Sequence, residues 1–423
     1  MKVILILIVF CIGCIKAFQQ PQIGVYLMSW IGYMNPHRLV PWSFIYTAPL
    51  AAIAFAVTFV AYIFYKDKPK NWFSPPLALI IIMLIWSVIC TYNGIYPEFA
   101  SKELLRFFKI LLGIFLTVII IRKKEHIILL VWTIFLSIGY YGIKGGAFTL
   151  LTGGNYLVWG PSGTFIEGNN ELALALLMIL PFAYFLLQQY ENKWIKRALI
   201  LSMMLIVASV LGSHSRGALL ALIASGGFLW LKSKSKLALG GVIIIGILAA
   251  VPFMPEQWFE RMETIQTYEQ DTSAMGRINA WTVAVNIAND RVTAGGFGHW
   301  GSATFALYAP FPEDVHDAHS IYFEVLGELG YPGLLIFLLI LYNIWFGAKK
   351  NVKKSIAINN SEPESNVLWV EQLNRMLQVS LIAYMSGGAF LGLAYWDLPY
   401  HILALVICCN KYLTHELSLS KSI

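Results

Sequence analysis

The chain has 423 residues, of which 58% are hydrophobic and only 13% are charged, and its mean hydropathy is +0.66. Soluble domains are about 45–50% apolar and about 25% charged, so this composition excludes a soluble globular enzyme and a disordered or fibrous chain. A net charge of +7 would suggest nucleic-acid binding in a soluble protein. In a membrane protein it reflects Lys and Arg in cytoplasmic loops, so we expect no nucleic-acid partner.

The apolar residues occur in long runs, which indicate an all-α polytopic membrane protein rather than a β-barrel, whose strands alternate apolar and polar residues. A membrane-spanning helix needs about 20 mostly apolar residues, or somewhat fewer in a short span. The apolar stretch 22–34 is short, and we predict that it lies in the interface or re-enters the membrane. Twelve stretches are predicted to span: 3–17, 44–64, 75–93, 104–121, 127–144, 170–188, 196–211, 217–231, 237–254, 333–348, 376–395 and 397–412.

Clusters of Lys and Arg fall in alternate loops, which predicts the orientation of the chain. Because cytoplasmic loops collect basic residues, this alternation places both termini in the cytoplasm. If 22–34 crossed the membrane, only the N-terminus would change sides. The basic loops are 66–70, 122–124, 193–197, 232–236 and 349–375, the last of which we predict to be a linker.

The longest polar segment divides the chain. Residues 255–332 contain the turn-forming Gly295-Gly296 and Pro310-Phe311-Pro312, and we predict an extracytoplasmic loop domain there. Spanning helices 1 to 9 then occupy residues 1–254. Residues 333–423 hold spans 10 to 12 and a cytoplasmic tail.

Two arginines stand at the predicted outer face of the membrane. Arg216 begins a membrane helix, and Arg277 is predicted near the first turn of a short helix that Thr272 or Ser273 could cap. Arginine presents a planar, always-charged fork of donors that suits phosphate oxygens. The two side chains are therefore candidate ligands of a lipid diphosphate, whose growing negative charge they would stabilise as it leaves.

His319 is the third candidate group. The apolar spacing from Tyr322 to Leu329 predicts a helix that ends at Gly330 and Pro332. His319 would lie in the first turn of this helix, on the face of Tyr322, where the helix dipole disfavours imidazolium. A neutral imidazole accepts the proton of an attacking hydroxyl. With the arginines, it suits displacement of a diphosphate at the membrane surface, while apolar surface in the lipid bilayer holds a polyprenyl tail.

These residues resemble the motifs of a known family. His319-Ser320 with Gly330 and Gly333 resembles the outer-loop signature of the O-antigen ligase and polymerase superfamily. Ser215-Arg216-Gly217 and Gly276-Arg277 resemble its two functional arginines, and Gly163-Thr164-Phe165 with Asn169-Asn170 is similar to its other common motif. The stretch 32–38 is similar to a narrower group, the O-glycosylation ligases associated with the exosortase A sorting system.

The resemblance implies a glycosyltransferase of the C-type membrane fold in the bacterial inner membrane, with its active site on the periplasmic face. It implies transfer of an oligosaccharide or polysaccharide from undecaprenyl diphosphate to a hydroxyl of an acceptor glycan or protein. The transfer would be inverting and would need no nucleotide sugar, metal or other cofactor. In this scheme His319 is the general base, and Arg216 and Arg277 bind the donor diphosphate.

Five further residues are accessory candidates. The histidine and arginine of stretch 32–38 could bind diphosphate or only stabilise the interface, and the asparagine before span 170–188 could act in the site or cap that helix. His316 and His299 rival His319 as the base, and His316 could join His319 in a metal site. We favour no metal, because no longer metal-binding signature is present. The accessory candidates are Arg38, His37, Asn169, His316 and Tyr322.

Three other functions are open alternatives. A polymerase of the same superfamily would join repeat units instead of attaching them to an acceptor. A transporter or flippase would place ionisable groups near the middle of the bilayer, whereas the candidate groups here cluster at one face. A scaffold subunit would need none of the three basic residues. The pattern does not determine the oligomeric state.

Overall fold

The computed structural model describes the chain except for residues 42, 67, 69–72, 233–234, 238–239, 242–253, 257, 260–271, 362–365 and 421–423. Within the described part the fold is helical, without strands. The helices are α1 (Lys2–Gln19), α2 (Pro21–Met34), α3 (Leu50–Phe64), α4 (Pro75–Tyr92), α5 (Pro97–Ile120), α6 (Lys124–Leu151), α7 (Asn169–Gln189), α8 (Lys193–Gly212), α9 (Arg216–Lys232), α10 (Thr272–Asp290), α11 (Ser302–Tyr308), α12 (Ile321–Ser361), α13 (Leu368–Gly387) and α14 (Asp397–Ser420), with 3-10 turns at Pro36–Leu39 and Gly388–Phe390.

The predicted all-α polytopic membrane fold is confirmed. In the described residues, α1, α4, α6, α7, α8 and α12 are long and apolar enough to cross a membrane. The predicted span 237–254 lies almost entirely outside the described residues, so the count of twelve stays a prediction. Two predicted bounds are wrong: α3 begins only at Leu50, and α13 ends at Gly387, after which residues 388–396 turn instead of continuing the helix.

The apolar stretch 22–34 forms a packed helix that returns through the bundle, not an interfacial segment. Near its start, the Tyr26 hydroxyl donates to the His126 carbonyl (3.1 Å) in the first turn of α6. Near its end, the Tyr33 hydroxyl meets His401 Nδ1 (2.7 Å) in the first turns of α14. Helix α2 therefore runs from the end of the bundle where α6 begins to the end where α14 begins.

This path corrects the expectation that both termini lie at one end. Helix α1 packs antiparallel to α2, with Phe10 in one apolar cluster with Ile31 of α2. The first residues of α1 therefore lie at the end where α14 begins, while α14 carries the last described residues to the opposite end. Pro21 directly after an extended Gln20 starts α2 without a longer loop, which makes the hairpin possible.

Small residues bring α6 and α8 into close contact. A Cβ atom added at Gly146 would overlap the carbonyl of Leu205, and one at Gly142 would lie 2.7 Å from Ile206 Cγ1. Membrane helices associate through such small residues because lipid supplies no hydrophobic force between them. The core lies beside this pair, where α7 is buried over most of its length and packs against α8 and α13.

Helix α12 crosses the boundary that the sequence predicted at residue 332. Gly330 adopts a left-handed backbone (φ 66°), which breaks the helix as expected, but the chain resumes helical geometry and continues to Ser361. A side chain at Gly330 would overlap the carbonyl of Val292, so a glycine is required by the backbone and by the packing. The predicted linker 349–375 is also wrong, because α12 and α13 occupy most of it.

Candidate functional site

His319 lies in a strained turn at the end of the bundle where α14 begins. Its backbone is left-handed (φ 43°), a conformation uncommon for a residue with a side chain. The indole Nε1 of Trp281 in α10 donates to the Ala318 carbonyl (2.7 Å), and the Trp281 ring stacks on Phe323 with centroids 4.8 Å apart. Helix α10 therefore holds the turn that presents His319.

The prediction that His319 lies in the first helical turn is wrong by two residues. Helix α12 begins at Ile321, and the carbonyl of Ser320 accepts the first helical hydrogen bond, from Glu324 N (2.8 Å). Ser320 is thus the N-cap, and His319 precedes it. The imidazole consequently does not share a helical face with Tyr322, whose hydroxyl donates to the Met385 carbonyl (3.0 Å) in α13.

The surroundings of His319 favour its neutral form for reasons other than the predicted helix dipole. Burial lowers the pKa of His319 below its usual 6.5, and the nearby Arg277 guanidinium lowers it further. The carboxylates of Asp317 and Glu171 act in the opposite direction without reversing the shift. His319 is therefore a neutral imidazole at pH 7, beside a cation and two anions.

Arg277 lies in the second turn of α10, next to the loop that contains His316. A Cβ atom at the neighbouring Gly276 would overlap the His316 ring, so glycine permits this close approach. The buried Asn279 fastens the same loop: its Nδ2 donates to the carbonyls of Phe311 (2.8 Å) and Asp314 (2.9 Å). Sequence reasoning missed Asn279, because a single asparagine in a polar segment carries no periodic signal.

The two rival histidines have other surroundings. His316 Nε2 lies 2.7 Å from Asp314 Oδ1, so that nitrogen is engaged by a carboxylate. His299 is fully buried with its ring 4.2 Å from that of Trp300, and burial lowers its pKa to about 3. Within the described residues, no three His, Cys, Asp or Glu side chains form a group that could hold a metal ion.

Arg216 begins α9 after a tight turn. The turn is fixed by two contacts: Asn169 Nδ2 donates to the Ser213 carbonyl (2.8 Å), and His214 Nε2 lies 2.8 Å from the Gly154 carbonyl. The Ser215 hydroxyl accepts from Ala218 N (3.2 Å) and caps the helix. Asn169, an accessory candidate, thus acts on the backbone that presents Arg216.

The segments that carry the three predicted residues meet at residues 387–390. A Cβ atom at Gly217, next to Arg216, would lie 3.4 Å from Phe390 Cβ. The Phe390 ring is 6.5 Å from Trp281, one helical turn beyond Arg277. Ile321, two residues after His319, packs against Gly388. The starts of α9 and α12 and the middle of α10 thus share one neighbour at one end of the bundle.

His37 and Arg38 lie at the same end, in the 3-10 turn after α2. His37 is buried, and burial followed by the charge of Arg38 lowers its pKa. The Arg38 guanidinium carbon lies 4.7 Å from the Tyr46 ring centroid and approaches Gly163. Arg38 therefore contacts the loop that holds the Gly163-Thr164-Phe165 motif.

A cavity of about 520 Å³ opens beside His319. Its wall combines aromatic rings with carboxyl groups, and its charged or ionisable members are His319, Arg106, Glu103, Glu167, Glu171, Asp317, Glu324 and Glu328. Neither Arg216 nor Arg277 belongs to the wall. The diphosphate site that the sequence predicts at the two arginines is therefore not this cavity, which is acidic.

Arg106 and the two glutamates of α12 were also missed from the sequence. Arg106 lies 3.5 Å from the centroid of the Phe165 ring and 3.8 Å from Glu103. Glu324 and Glu328 are four residues apart in the part of α12 from 321 to 348, which has no other charged residue, and acids in such an apolar stretch usually mark a functional cavity. That signal was present but overlooked.

Comparison with known families gives two matches, one after the other along the chain. Residues 1–191 match a family of unknown function (DUF5935), and residues 201–338 match the O-antigen ligase family. No curated protein matches the chain. The O-antigen ligase match contains α9, α10 and the His319 turn, and it supports the predicted relation of this membrane protein to the O-antigen ligase and polymerase superfamily.

Proposed function

We propose that the protein is a glycan ligase that transfers an oligosaccharide or polysaccharide from undecaprenyl diphosphate to a hydroxyl of an acceptor glycan or protein. His319 is the general base, and Arg216 and Arg277 bind the diphosphate. The observation that carries the proposal is that the neutral imidazole of His319 lines a cavity and lies close enough to Arg277 for the guanidinium charge to lower its pKa. A general base and a side chain that can bind an anion are thus adjacent.

The chemistry follows from this arrangement. The imidazole of His319 takes the proton of the acceptor hydroxyl as its oxygen attacks the anomeric carbon of the donor sugar. The bond between that carbon and the diphosphate oxygen breaks, and the diphosphate leaves with the electron pair. Arg277 and Arg216 stabilise the charge on the leaving group. The attack comes from the face opposite the leaving group, so the anomeric configuration inverts.

The test is transfer by purified protein in lipid nanodiscs, with a lipid-diphosphate glycan as donor and a cell-envelope fraction as acceptor. A general base contributes about 10²–10⁴-fold, so His319→Ala should lose at least about 100-fold in rate. His316→Ala is the matched control, because its ring is engaged by Asp314, and it should keep most of the activity. Undiminished transfer by folded His319→Ala would reject the proposed base.

Deletion of the protein separates ligase from polymerase. A cell without a ligase retains long glycan chains on the lipid carrier and loses their attachment to the acceptor. A cell without a polymerase accumulates single repeat units. The narrower resemblance at 32–38 supports the ligase and a protein acceptor in an exosortase-associated system.

We further propose that the end of the bundle with His319 faces the periplasm. The described basic residues Lys66 and Lys68 and the basic loops 122–124 and 193–197 lie at the opposite end, and positive residues favour the cytoplasm. With α2 returning through the bundle, the N-terminus is periplasmic and the C-terminus is cytoplasmic. An impermeant thiol reagent should label Lys2→Cys and Ser302→Cys in intact spheroplasts but Lys193→Cys only after lysis. The reverse pattern would contradict the orientation.

A further inference from the structure

We infer that the cavity beside His319 binds a positively charged group of the acceptor, an ammonium or guanidinium carried close to the hydroxyl that is glycosylated. The inference rests on the proposed function and names the chemical class of its acceptor. An amino sugar with a free amine has this chemistry, and so does a protein segment with Lys or Arg beside a hydroxyl residue.

The first support is an excess of acid in the cavity wall. Six carboxyl side chains line the cavity, against the single guanidinium of Arg106. Arg106 is itself close to Glu103 (3.8 Å). The excess persists without the two glutamates of α12, because the four carboxyl groups of the other segments still outnumber the one cation. A cavity with this balance repels the donor diphosphate and attracts a cation.

Glu167 shows that at least part of this charge is fixed. Its Oε2 accepts from Gly163 N (2.7 Å), and its Oε1 accepts from the Ser162 hydroxyl (2.7 Å). These two hydrogen bonds, the backbone bond first, lower the pKa of Glu167 below its usual value. Its carboxylate is therefore ionised at neutral pH at the wall of the cavity.

The second, independent support is an unsatisfied acceptor at the buried part of the wall. Glu328 is 5% exposed. Its Oε1 accepts from Gly298 N (2.9 Å) and Trp300 Nε1 (3.2 Å). Its Oε2 makes no hydrogen bond of ordinary geometry in the described part of the chain, although the hydroxyl of the buried Tyr395 interacts with Glu328. The tyrosine can donate only one proton, so Oε2 keeps a lone pair for a donor that a ligand supplies.

The aromatic rings of the wall fit the same kind of ligand. Trp300, Phe165, Phe99 and Tyr395 line the cavity with the carboxyl groups. The faces of such rings attract ammonium and guanidinium groups, as Phe165 already does with Arg106 (3.5 Å). A ligand with a cationic group would meet carboxylates and rings at once, and its hydroxyl would lie at the side of the cavity that His319 lines.

The experiment measures binding without transfer, by equilibrium dialysis on the full-length protein in nanodiscs. Glucosamine is compared with N-acetylglucosamine, and N-acetyl-Ser-Lys-amide with N-acetyl-Ser-norleucine-amide. The two members of each pair differ chiefly in whether they carry a positive charge. Comparing the two pairs shows whether the preferred cation is an amino sugar or a peptide. We expect the cationic member of at least one pair to bind at least tenfold more tightly than the neutral member.

Glu328→Gln should weaken binding of the preferred cation about tenfold. Glu313→Gln is the matched control, because Glu313 is exposed in the same loop region but does not line the cavity, and it should bind as the wild type does. If Glu328→Gln does not fold, Glu171→Gln on the other wall replaces it with the same expectation. Equal binding of charged and neutral members in both pairs, or unchanged binding by the folded cavity variant, would overturn the inference.

The result is distinguishable from a failure of the proposed function. Cation binding without any His319-dependent transfer would reject the ligase and keep the site. Transfer that depends on His319 without preference for a cation would keep the ligase and reject this acceptor class.

Discussion

Trp281→Phe is predicted to impair transfer by releasing the turn that presents His319. The substitution keeps an aromatic ring to stack on Phe323 but removes the indole N–H that binds the Ala318 carbonyl at 2.7 Å. Ala318 is 1% exposed, so water does not readily replace the lost donor. A buried carbonyl left unpaired costs about 1–3 kcal/mol. The neighbouring His319 has a strained left-handed backbone, so movement of the turn would relieve strain as well.

If about 1.4 kcal/mol of that cost is met by movement of the turn, the productive geometry is populated about tenfold less, since 1.4 kcal/mol corresponds to a factor of ten. We therefore expect kcat to fall about tenfold, with KM for the donor little changed and the amount of folded protein similar. The transfer assay in nanodiscs measures this. Trp194→Phe is the control, because its indole is 75% exposed at the opposite end of the bundle. An unchanged kcat for Trp281→Phe, or an equal loss in the control, would refute the positioning role.

Three further predictions concern pH and packing. The transfer rate should rise with pH in the range below 6.5, because the neutral form of His319 is active and its pKa is lowered. Arg277→Gln removes one cause of the lowered pKa, so its pH–rate profile should show this rise at higher pH. Gly146→Ala should destabilise the bundle by about 1–3 kcal/mol in thermal unfolding, because the added Cβ would overlap α8. Gly113→Ala is the control and should not destabilise it, because a Cβ at Gly113 would have no atom within 4 Å. Equal unfolding temperatures of the two variants would contradict the packing argument. Gly276→Ala should lower transfer, and a second change, His316→Ala, should restore part of it; no recovery would mean that the clash with His316 is not the cause.

The main features of the fold were predictable because they depend on local properties. Apolar length indicates a spanning helix wherever it occurs, so most of the predicted spans coincide with helices. Helix α2 was the exception, since its 14 residues extend only about 21 Å at 1.5 Å each, which is short for a bilayer. Its contacts with α6 and α14, which are distant along the chain, make it a packed member of the bundle. Because the sequence did not reveal this helix, it placed both termini at one end of the bundle, whereas α1 begins and α14 ends at opposite ends.

The candidate site was predictable only in part. The motifs around Arg216, Arg277 and His319 are local in the chain, and they do lie at one end of the bundle. The charge of the neighbouring cavity was not predictable, because its carboxyl groups come from α5, α7, α12 and two loops. Four of these acids look like ordinary surface residues or helix caps when their segments are considered alone, and only the two glutamates of α12 stand out in an apolar stretch.

The amino-acid sequence by itself indicated a helical membrane protein with two arginines in helices and a histidine nearby in the chain, all expected at the same end. The hydropathy of a segment is the sum over its own residues, and successive spanning helices alternate in direction across the membrane. Neither property depends on contacts between distant segments. Only the tertiary structure decided that His319 is held in a left-handed turn by Trp281, that Arg277 lowers its pKa, and that the cavity beside it is acidic. Burial and electrostatic interaction depend on distances between segments far apart in the chain, and only packing sets those distances.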